Sequence, residues 1–347
     1  MKKLSCMLAL VLALATLTGG MAFATTLTVY NSYDYIDEDV LEQFTKETGI
    51  EVEYVMFTRQ EEMYTQITTG GGKYDIIFPS DYILERLIKE ERLQEIDYEQ
   101  CPNAKENILD SMWNSDYDPG NVYSVPYMWG TMGILYNTEM VEDEITSWDS
   151  LFDSTYQRDV FMLDSMRDMM GLMLVYLGYD INSTDEAELA EVRDLLIKQK
   201  DDNIVQGYLV DEVKDKMVGG EAAMAVMWSG DAMYAMDLDE DGVLAYSVPE
   251  EGSNVWIDAM CVLSNSENYE AAMQFIDFMC RPDIAKRNYD YIHYASPIKQ
   301  VVETLPEEEA ENVAVNPGDE VLERCYFFHD LMDDMDIYNT YWMQIRS

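Results

Sequence analysis

Apolar residues along positions 26–78 recur first at the spacing of a strand and then at the spacing of a helix. The pattern predicts strand, helix, strand, helix and strand, with Asp37 capping the first helix and Gly49 ending it. The second helix covers 61–69 and ends at Gly70, and the third strand covers 74–78. Such alternation is typical of a parallel α/β sheet. The apolar positions that carry the pattern are Leu27, Val29, Val40, Leu41, Phe44, Ile50, Val52, Tyr54, Ile76, Ile77 and Phe78.

The second half of the chain repeats this class of pattern. A helix with apolar positions at helical spacing follows Ser183, which we interpret as the N-cap of a capping box closed by Glu186. Strands are predicted over 222–228 and 256–263, and a helix over 269–280. The apolar positions of the capped helix are Leu189, Val192 and Leu196.

Two loops of the first half follow predicted parallel strands directly. Residues 31–35 come after the first strand, and residues 79–82 come after the third. In parallel α/β sheets, ligands bind beyond the carboxyl ends of the strands. We therefore expect these two loops to lie near each other and to border a ligand site.

The first 24 residues have the layout of a secretory signal peptide. Lys2 and Lys3 precede a short apolar run, and the small-x-small sequence at 22–24 suits cleavage. The run is shorter than the roughly 20 residues that a membrane-spanning helix needs. Cys6 precedes the apolar run, so we do not expect a lipid anchor there. The sequence predicts a free, exported protein with a signal peptide at 1–24.

The remaining 323 residues are strongly acidic. The signal segment contains two lysines and no acids, so 20 Lys and Arg face 68 Asp and Glu, a net charge of −48. A surface of this charge repels nucleic acid and anionic membranes and attracts cations. The length is typical of two domains.

Cysteine and histidine limit the chemistry that the chain can support. Cys101, Cys261, Cys280 and Cys325 have wide, irregular spacings that identify no disulfide and no zinc site. Two histidines are too few to suggest a histidine metal site or a conventional hydrolase triad. We expect no metal and no cofactor.

Three short segments place a carboxylate within three residues of a large aromatic ring. They are Tyr33-Asp34-Tyr35, Trp228-Ser229-Gly230-Asp231 and Trp256-Ile257-Asp258. A carboxylate neutralises a protonated amine and accepts its N–H bonds, and a ring face adds a cation–π attraction of about 0.5–2 kcal/mol. These segments favour a site for an organic cation, although each taken singly is more often a core aromatic beside a surface acid.

Six segments in a fixed order resemble the bacterial spermidine/putrescine-binding proteins, the receptors of polyamine ABC importers. The similarity runs from about Leu27 to Tyr341. The segments are LEQFTKETGI at 41–50, YDIIFPSDY at 74–82, YSVPYMWGTMGILYN at 123–137, MWSGDA at 227–232, WIDAM at 256–260 and RPDIAKR at 281–287.

The resemblance implies an α/β fold of the two-lobed periplasmic binding protein type (type II), with two sheets joined by crossing hinge strands. It implies an N-terminal lobe of 25–133 and 261–300 and a C-terminal lobe of 134–260 and 301–347, with crossings near 133–135 and 260–262. It also implies a periplasmic monomer that is not an enzyme, binds a polyamine and docks onto an inner-membrane permease coupled to a cytoplasmic ATPase.

The resemblance also implies the ligand-binding residues. The family's acid-Tyr pair matches Asp34 and Tyr35, its middle-lobe acid matches Asp168, and its Trp-x-Asp matches Trp256 and Asp258. The complete set of expected ligand-binding residues is Tyr33, Asp34, Tyr35, Ser80, Asp81, Tyr82, Ser165, Asp168, Trp228, Asp231, Trp256, Asp258 and Tyr294.

Several positions depart from the family pattern. Ser32 stands where the family has an aromatic residue, with Tyr33 as the conjectured replacement, and Ser165 stands where it has an acid. A glutamine of the spermidine-type members is lost around Phe328. Asp34 and Asp231 favour the putrescine type, whereas the loop sequences favour the spermidine type, so the choice between the two polyamines stays open.

Two other classes of function remain. One is a receptor of the same fold for a sugar, an amino acid or a ferric ion. The other is a secreted glycosidase that uses two carboxylates. Sugar sites need aromatic platforms but not so many acids. Amino-acid sites normally need an arginine for the ligand carboxylate, and Arg167 is the nearby candidate. For the glycosidase, the sequence contains no distinctive catalytic motif.

Overall fold

The computed structural model describes residues 25–70, 72–331 and 334–347, so the predicted signal peptide lies outside the described residues. The strands, numbered along the chain, are β1 (Thr26–Ser32), β2 (Glu51–Phe57), β3 (Ile76–Ile77), β4 (Val125–Asn137), β5 (Val160–Leu163), β6 (Val205–Leu209), β7 (Met224–Trp228), β8 (Leu244–Ser247), β9 (Ser253–Val262) and β10 (Cys325–Tyr326).

Helices follow most of these strands. The helices are α1 (Glu38–Thr48), α2 (Gln60–Thr69), α3 (Asp81–Lys89), α4 (Pro102–Asn107), α5 (Met166–Tyr176), α6 (Glu186–Asp201), α7 (Glu212–Val218), α8 (Ser229–Leu238), α9 (Tyr269–Met279), α10 (Pro282–Ile292), α11 (Lys299–Glu303), α12 (Glu307–Ala310), α13 (Gly318–Leu322) and α14 (Met335–Arg346). Short 3-10 turns cover Asp110–Met112, Trp148–Phe152 and Ser154–Tyr156.

The N-terminal strands form the parallel sheet that the apolar pattern predicts. β1 pairs in parallel with β2 on one side and with β3 on the other. Asp37 caps α1 by accepting a 3.0 Å hydrogen bond from the Asp39 N–H, and Gly49 ends that helix at φ 74°, where glycine has no Cβ to clash. The predicted order of the first five elements is therefore confirmed.

Two long strands connect this sheet to a second group of strands. β9 pairs with β3 through Cys261 and Val262, and with the first half of β4 through residues 255–260. The second half of β4 pairs with β7 and β8. The main path through the ten-stranded sheet is β2-β1-β3-β9-β4-β7-β5-β6, with β10 paired to β9 and β8 paired to β4. The predicted crossing segments at 133–135 and 260–262 lie in β4 and β9.

The buried apolar side chains form two main clusters, of which the first extends from the N-terminal sheet across the crossing strands to Phe161 and Met227. The first packs α1, α9 and α10 onto β1–β3, and includes Phe44 and Phe275. The second packs α5, α6 and α14 against β5 and β7, and includes Trp148 and Tyr338. The lobe boundaries predicted from the resemblance stay a prediction.

Two local predictions were wrong in detail. The strand predicted over 74–78 is limited to Ile76–Ile77, because the Asp75 carboxylate accepts the Thr28 N–H at 2.8 Å in place of a backbone carbonyl and Pro79 has no N–H to donate. The N-cap of α6 is Asp185 and not the predicted Ser183, since the Asp185 carboxylate accepts from the Ala187 N–H at 2.8 Å. Ser183 instead donates to Glu188.

Candidate ligand-binding site

Most of the expected site residues follow the carboxyl ends of parallel strands on both sides of the crossing strands. The loops after β1 and β3 supply residues 33–35 and 80–82, and those after β5 and β7 supply residues 165–168 and 228–231. β9 contributes Trp256 and Asp258 from one face, because successive side chains on a strand point to opposite faces. The fold thus draws these residues from segments that span positions 33 to 258 of the sequence.

Asp258 lies in β9, between β4 on one side and the loop after β3 on the other. It pairs with Met128 in the ladder, and its carboxylate accepts a hydrogen bond from the Ser80 hydroxyl. Burial raises the pKa of Asp258 to about 6, the Ser80 and Tyr35 hydroxyls oppose this rise, and the charge of Asp168 adds to it. The groups that touch this carboxylate are therefore neutral hydroxyls.

Aromatic rings form a continuous wall beside Asp258. The Tyr294 ring contacts the rings of Tyr35 and Trp256 edge to face, with centroids 5.6 and 5.2 Å apart. Glycine allows the close packing behind this wall, since a Cβ at Gly130 would lie 2.8 Å from the Trp256 ring and one at Gly230 would lie 2.3 Å from the Tyr294 ring. The indole Nε1 of Trp256 is buried without a hydrogen-bond partner among the described residues.

Asp168 is the centre of a second cluster at the start of α5. The Ser165 hydroxyl donates to its carboxylate at 2.5 Å. Burial raises the pKa of Asp168 to about 6, against the opposing effects of Ser165, the Arg167 guanidinium and the Trp228 indole N–H. Asp168 and Asp258 are thus two buried carboxyls that ionise close to neutral pH and lie near enough for one charge to affect the other.

Arg167 is buried beside this cluster and is held by other groups. Its guanidinium donates to the Ile181 carbonyl at 3.1 Å and to the Asn182 side chain, and it lies 3.9 Å from the Phe328 ring centroid. Phe328 therefore covers the arginine by a cation–π contact at the position where the family glutamine is lost. An arginine held in this way is not free to bind the carboxylate of an amino acid.

Tyr82 and Asp81 differ in their surroundings. The Tyr82 hydroxyl donates to Glu61 at 2.9 Å, and its ring contacts Phe328. Asp81 is fully buried, with one carboxylate oxygen accepting the Tyr82 N–H at 2.7 Å and the other unpartnered among the described residues. Burial holds the pKa of Asp81 well above its usual range, which favours its neutral form.

Asp231 already has a cationic partner. Lys214 Nζ lies 3.4 Å from Asp231 Oδ1, and both side chains are largely buried, with exposed fractions of 19% and 14%. Burial raises the pKa of Asp231, and the lysine charge and the Tyr294 hydroxyl oppose that rise. The acid of the segment 228–231 is therefore already paired with a lysine from elsewhere in the protein.

Tyr33 and Asp34 lie at the exposed edge of the site. The Tyr33 side chain is 57% exposed and takes part in none of the ring contacts described above. Asp34 has a left-handed backbone, with φ 54°, and its carboxylate accepts from the Tyr291 hydroxyl at 2.6 Å. The conjecture that Tyr33 replaces the missing family aromatic remains a prediction.

Sequence reasoning missed Glu61 and Lys214. Glu61 lies at the start of α2 after β2, and Lys214 lies in α7 after β6. Both strands run parallel to strands whose loops were selected as site loops. The rule that ligand sites border the carboxyl ends of parallel strands, applied to every strand, would have included these two segments.

Metal, disulfide and membrane features are limited within residues 25–70, 72–331 and 334–347. In these ranges, no group of three or more His, Cys, Asp and Glu side chains is arranged to hold a metal ion, and the four cysteines are free thiols. None of the helices in the same ranges has both the length and the apolar character to cross a membrane.

Comparison with protein families and curated proteins gives consistent matches. The model of the family described as bacterial extracellular solute-binding protein matches residues 39–317. The chain is 32% identical over 343 residues to the spermidine/putrescine-binding periplasmic protein of Salmonella typhimurium, with 97% of each chain covered. It is 31% identical to the putrescine-binding periplasmic protein SpuD of Pseudomonas aeruginosa, covering 93% of this chain and 92% of that protein.

A solved structure supports the same grouping. The crystal structure of the spermidine/putrescine ABC transporter substrate-binding protein PotD from Streptococcus pneumoniae, in complex with calcium and HEPES, matches with a TM-score of 0.79 and 36% identity. The match covers 92% of this chain and 99% of that one. The α/β fold and the resemblance predicted from the sequence are therefore confirmed.

Proposed function

The chain belongs to the bacterial extracellular solute-binding protein family, and from this premise we propose that it is the polyamine receptor of an ABC importer. It binds spermidine or putrescine outside the cytoplasmic membrane and delivers it to the importer. The relatives named for these polyamines support the ligand class, and the residues of the site support it independently.

The observation that carries the proposal is the pair of buried carboxyls, Asp258 and Asp168. Each is hydrogen-bonded by a hydroxyl and not by a lysine or arginine, so its charge stays available to a ligand. Each is also poised to ionise near neutral pH, because burial raises its pKa to about 6. A polyamine is fully protonated there, and an ammonium group stabilises the ionised carboxylate.

The proposed binding mode places one ammonium group at Asp258 and another at Asp168. Trp256 and Trp228 cover the methylenes between them, and their ring faces add a cation–π attraction. Tyr35, Tyr82 and Tyr294 complete the walls. Ser80 and Ser165 orient the two carboxylates by the hydrogen bonds described above. The remaining expected residues, Tyr33, Asp34, Asp81 and Asp231, form the edge and the supporting layer.

The same proposal covers how the receptor works. The segments 25–133 with 261–300 and 134–260 with 301–347 act as lobes that close over the polyamine and exclude water, which strengthens the ion pairs. Because desolvation and closure cost free energy, a micromolar dissociation constant, about −8 kcal/mol, suits the site. The closed monomer docks onto a membrane permease driven by a cytoplasmic ATPase, and it releases its ligand chemically unchanged.

Isothermal titration calorimetry at pH 7.5 tests the ligand class. The purified protein is titrated with spermidine and putrescine, and with a hexose, glutamate and ferric citrate as representatives of the other classes. We expect saturable binding of at least one polyamine and none of the others. Absence of binding to both polyamines, or tighter binding of another solute, would contradict the proposal. Native mass spectrometry of freshly purified protein would identify a co-purified ligand directly.

The site assignment has its own variant and control. Asp258→Asn keeps the size of the side chain but removes its charge, so we expect polyamine binding to weaken at least tenfold. Asp149→Asn removes an exposed acid that contacts Tyr176 and lies outside the site, and it should leave binding within twofold of wild type. Equal binding by the two variants would refute the assignment of Asp258 while leaving the ligand class intact.

A further inference from the structure

Lys214 provides the site region with a cation of its own. It lies in α7, and its ammonium is 3.4 Å from the carboxylate of Asp231 in the first turn of α8. The ammonium also lies 5.4 Å from the centroid of the Tyr234 ring. A carboxylate and an aromatic ring around one ammonium is the arrangement that the sequence led us to expect around a ligand amine.

Further acids surround this ammonium. Burial alone would lower the pKa of Lys214, but the carboxylates of Asp231, Asp211 and Asp34 outweigh it and raise that pKa. These carboxylates therefore favour the charged form of the lysine beside Asp231. Asp34 and Asp231, the two acids that favour a putrescine-type site in the sequence, both act on the same internal cation.

The Tyr294 side chain links this ion pair to the ligand site. Its hydroxyl acts on the carboxylate of Asp231, while its ring contacts Trp256 and Tyr35 beside Asp258. The aromatic wall beside Asp258 thus extends through Tyr294 to Asp231. An ammonium that approached Asp231 along this wall would meet the positive charge of Lys214.

We propose that Lys214 is a specificity-determining residue, a tethered ammonium that occupies the Asp231 subsite and limits the receptor to two ammonium-binding carboxylates, Asp258 and Asp168. This inference rests on the proposed function, since it concerns how many charges of a polyamine the site neutralises. A diamine satisfies both carboxylates. The Asp231 carboxylate is not available to the additional ammonium of a triamine, because Lys214 holds it.

Removal of the lysine side chain tests this account. In Lys214→Ala, Asp231 becomes available, so we expect the affinity for the triamine spermidine to rise at least fivefold relative to that for the diamine putrescine. The affinity for putrescine should stay within threefold of wild type. Lys216→Ala is the matched control: it lies in the same helix, loses the same charge, and its partner is Glu221 at 2.7 Å, outside the site. The ratio of the two affinities should not change in this control.

Two further variants keep the test decisive. Lys214→Met retains most of the aliphatic stem, so it gives the same prediction if the alanine variant does not fold. In Lys214→Ala/Asp231→Asn, the newly available carboxylate is absent, and the ratio should return to the wild-type value. Calorimetry supplies both affinities, and thermal unfolding verifies that each variant is folded.

The outcomes separate this inference from the proposed function. If wild type binds a polyamine but the ratio in folded Lys214→Ala and Lys214→Met stays within twofold of wild type, the role of Lys214 is refuted alone. A ratio that shifts equally in Lys216→Ala would also refute it, because general charge would then explain the effect. If wild type binds neither polyamine, both proposals fall.

Discussion

Asp258 and Asp231 occupy similar sequence surroundings but different electrostatic ones. Each follows a tryptophan by two or three residues, and Asp258 is buried within β9 while Asp231 is largely buried in the first turn of α8. Ser80 donates a neutral hydrogen bond to Asp258, whereas Lys214 places a full positive charge 3.4 Å from Asp231. The first carboxylate keeps its charge for a ligand, and the second is already neutralised within the protein.

The difference shows that an acid beside an aromatic ring is an incomplete description of an amine site. Whether a carboxylate can bind a ligand amine depends on the side chain that contacts it in the folded protein. A hydroxyl orients the carboxylate and leaves its negative charge available to a ligand, while a lysine neutralises that charge. The acidic surface attracts cations over about 8–10 Å, but only acids without an internal cation can bind them at short range.

Among the changes considered, acidification should have the largest effect on polyamine affinity, because it titrates Asp258 and Asp168. The pKa values of Asp258 and Asp168 are raised to about 6, so both carboxyls are largely ionised at pH 7 and largely protonated at pH 5. The ligand remains protonated throughout, and each carboxyl must lose its proton to bind an ammonium. We expect polyamine affinity, measured by calorimetry, to fall about tenfold per carboxyl, or about 100-fold in all, between pH 7 and pH 5.

The pH profile has an internal control. In Asp258→Asn, one of the two titrating carboxyls is absent, so the remaining loss over the same interval should be about tenfold. An affinity that is constant between pH 7 and pH 5 would contradict the assignment of the two buried acids.

Replacement of the far acid should have the next largest effect. Asp168→Asn removes the carboxylate that accepts from Ser165, and we expect spermidine binding to weaken about tenfold, equivalent to about 1.4 kcal/mol. The expected loss does not exceed this value, because the nearby Arg167 guanidinium already offsets part of the Asp168 charge. If calorimetry finds unchanged affinity in folded Asp168→Asn, Asp168 does not bind an ammonium group and Asp258 alone is left in that role.

A change of ring should have the smallest effect. Trp256→Phe keeps an aromatic side chain beside Asp258 but replaces the indole by the less electron-rich benzene ring, so the cation–π attraction weakens. We expect about a threefold loss of polyamine affinity. Trp129 pairs with Ile257 in the ladder of β4 and β9, so its side chain lies on the face of the sheet opposite to Trp256 and Asp258. Trp129→Phe should therefore leave affinity within twofold of wild type once the fraction of folded protein is accounted for.

The sequence was sufficient for the local elements of the fold. The positions of α1 and α9 follow from apolar residues at helical spacing and from caps such as Asp37 and Gly49, which act within a few residues. The length of β3 was not predictable in this way. It depends on the contact of the Asp75 carboxylate with Thr28, which are 47 positions apart.

The candidate site was predictable in its residue types but not in its charge pairing. The family resemblance selected Asp258, Asp168 and Asp231 alike. The pair formed by Lys214 and Asp231 depends on the packing of α7 against α8, for which the sequence contains no periodic signal. Which acids remain available to a ligand therefore becomes visible only in the folded chain.

The most direct test compares Asp258→Asn with Asp231→Asn by calorimetry, using the polyamine that wild type binds more tightly. The account predicts that Asp258→Asn weakens binding at least tenfold, because a ligand-binding charge is lost. Asp231→Asn should change affinity less than threefold, because the charge it removes serves Lys214. An equal loss in both variants, or a larger loss in Asp231→Asn, would contradict the distinction between the two acids.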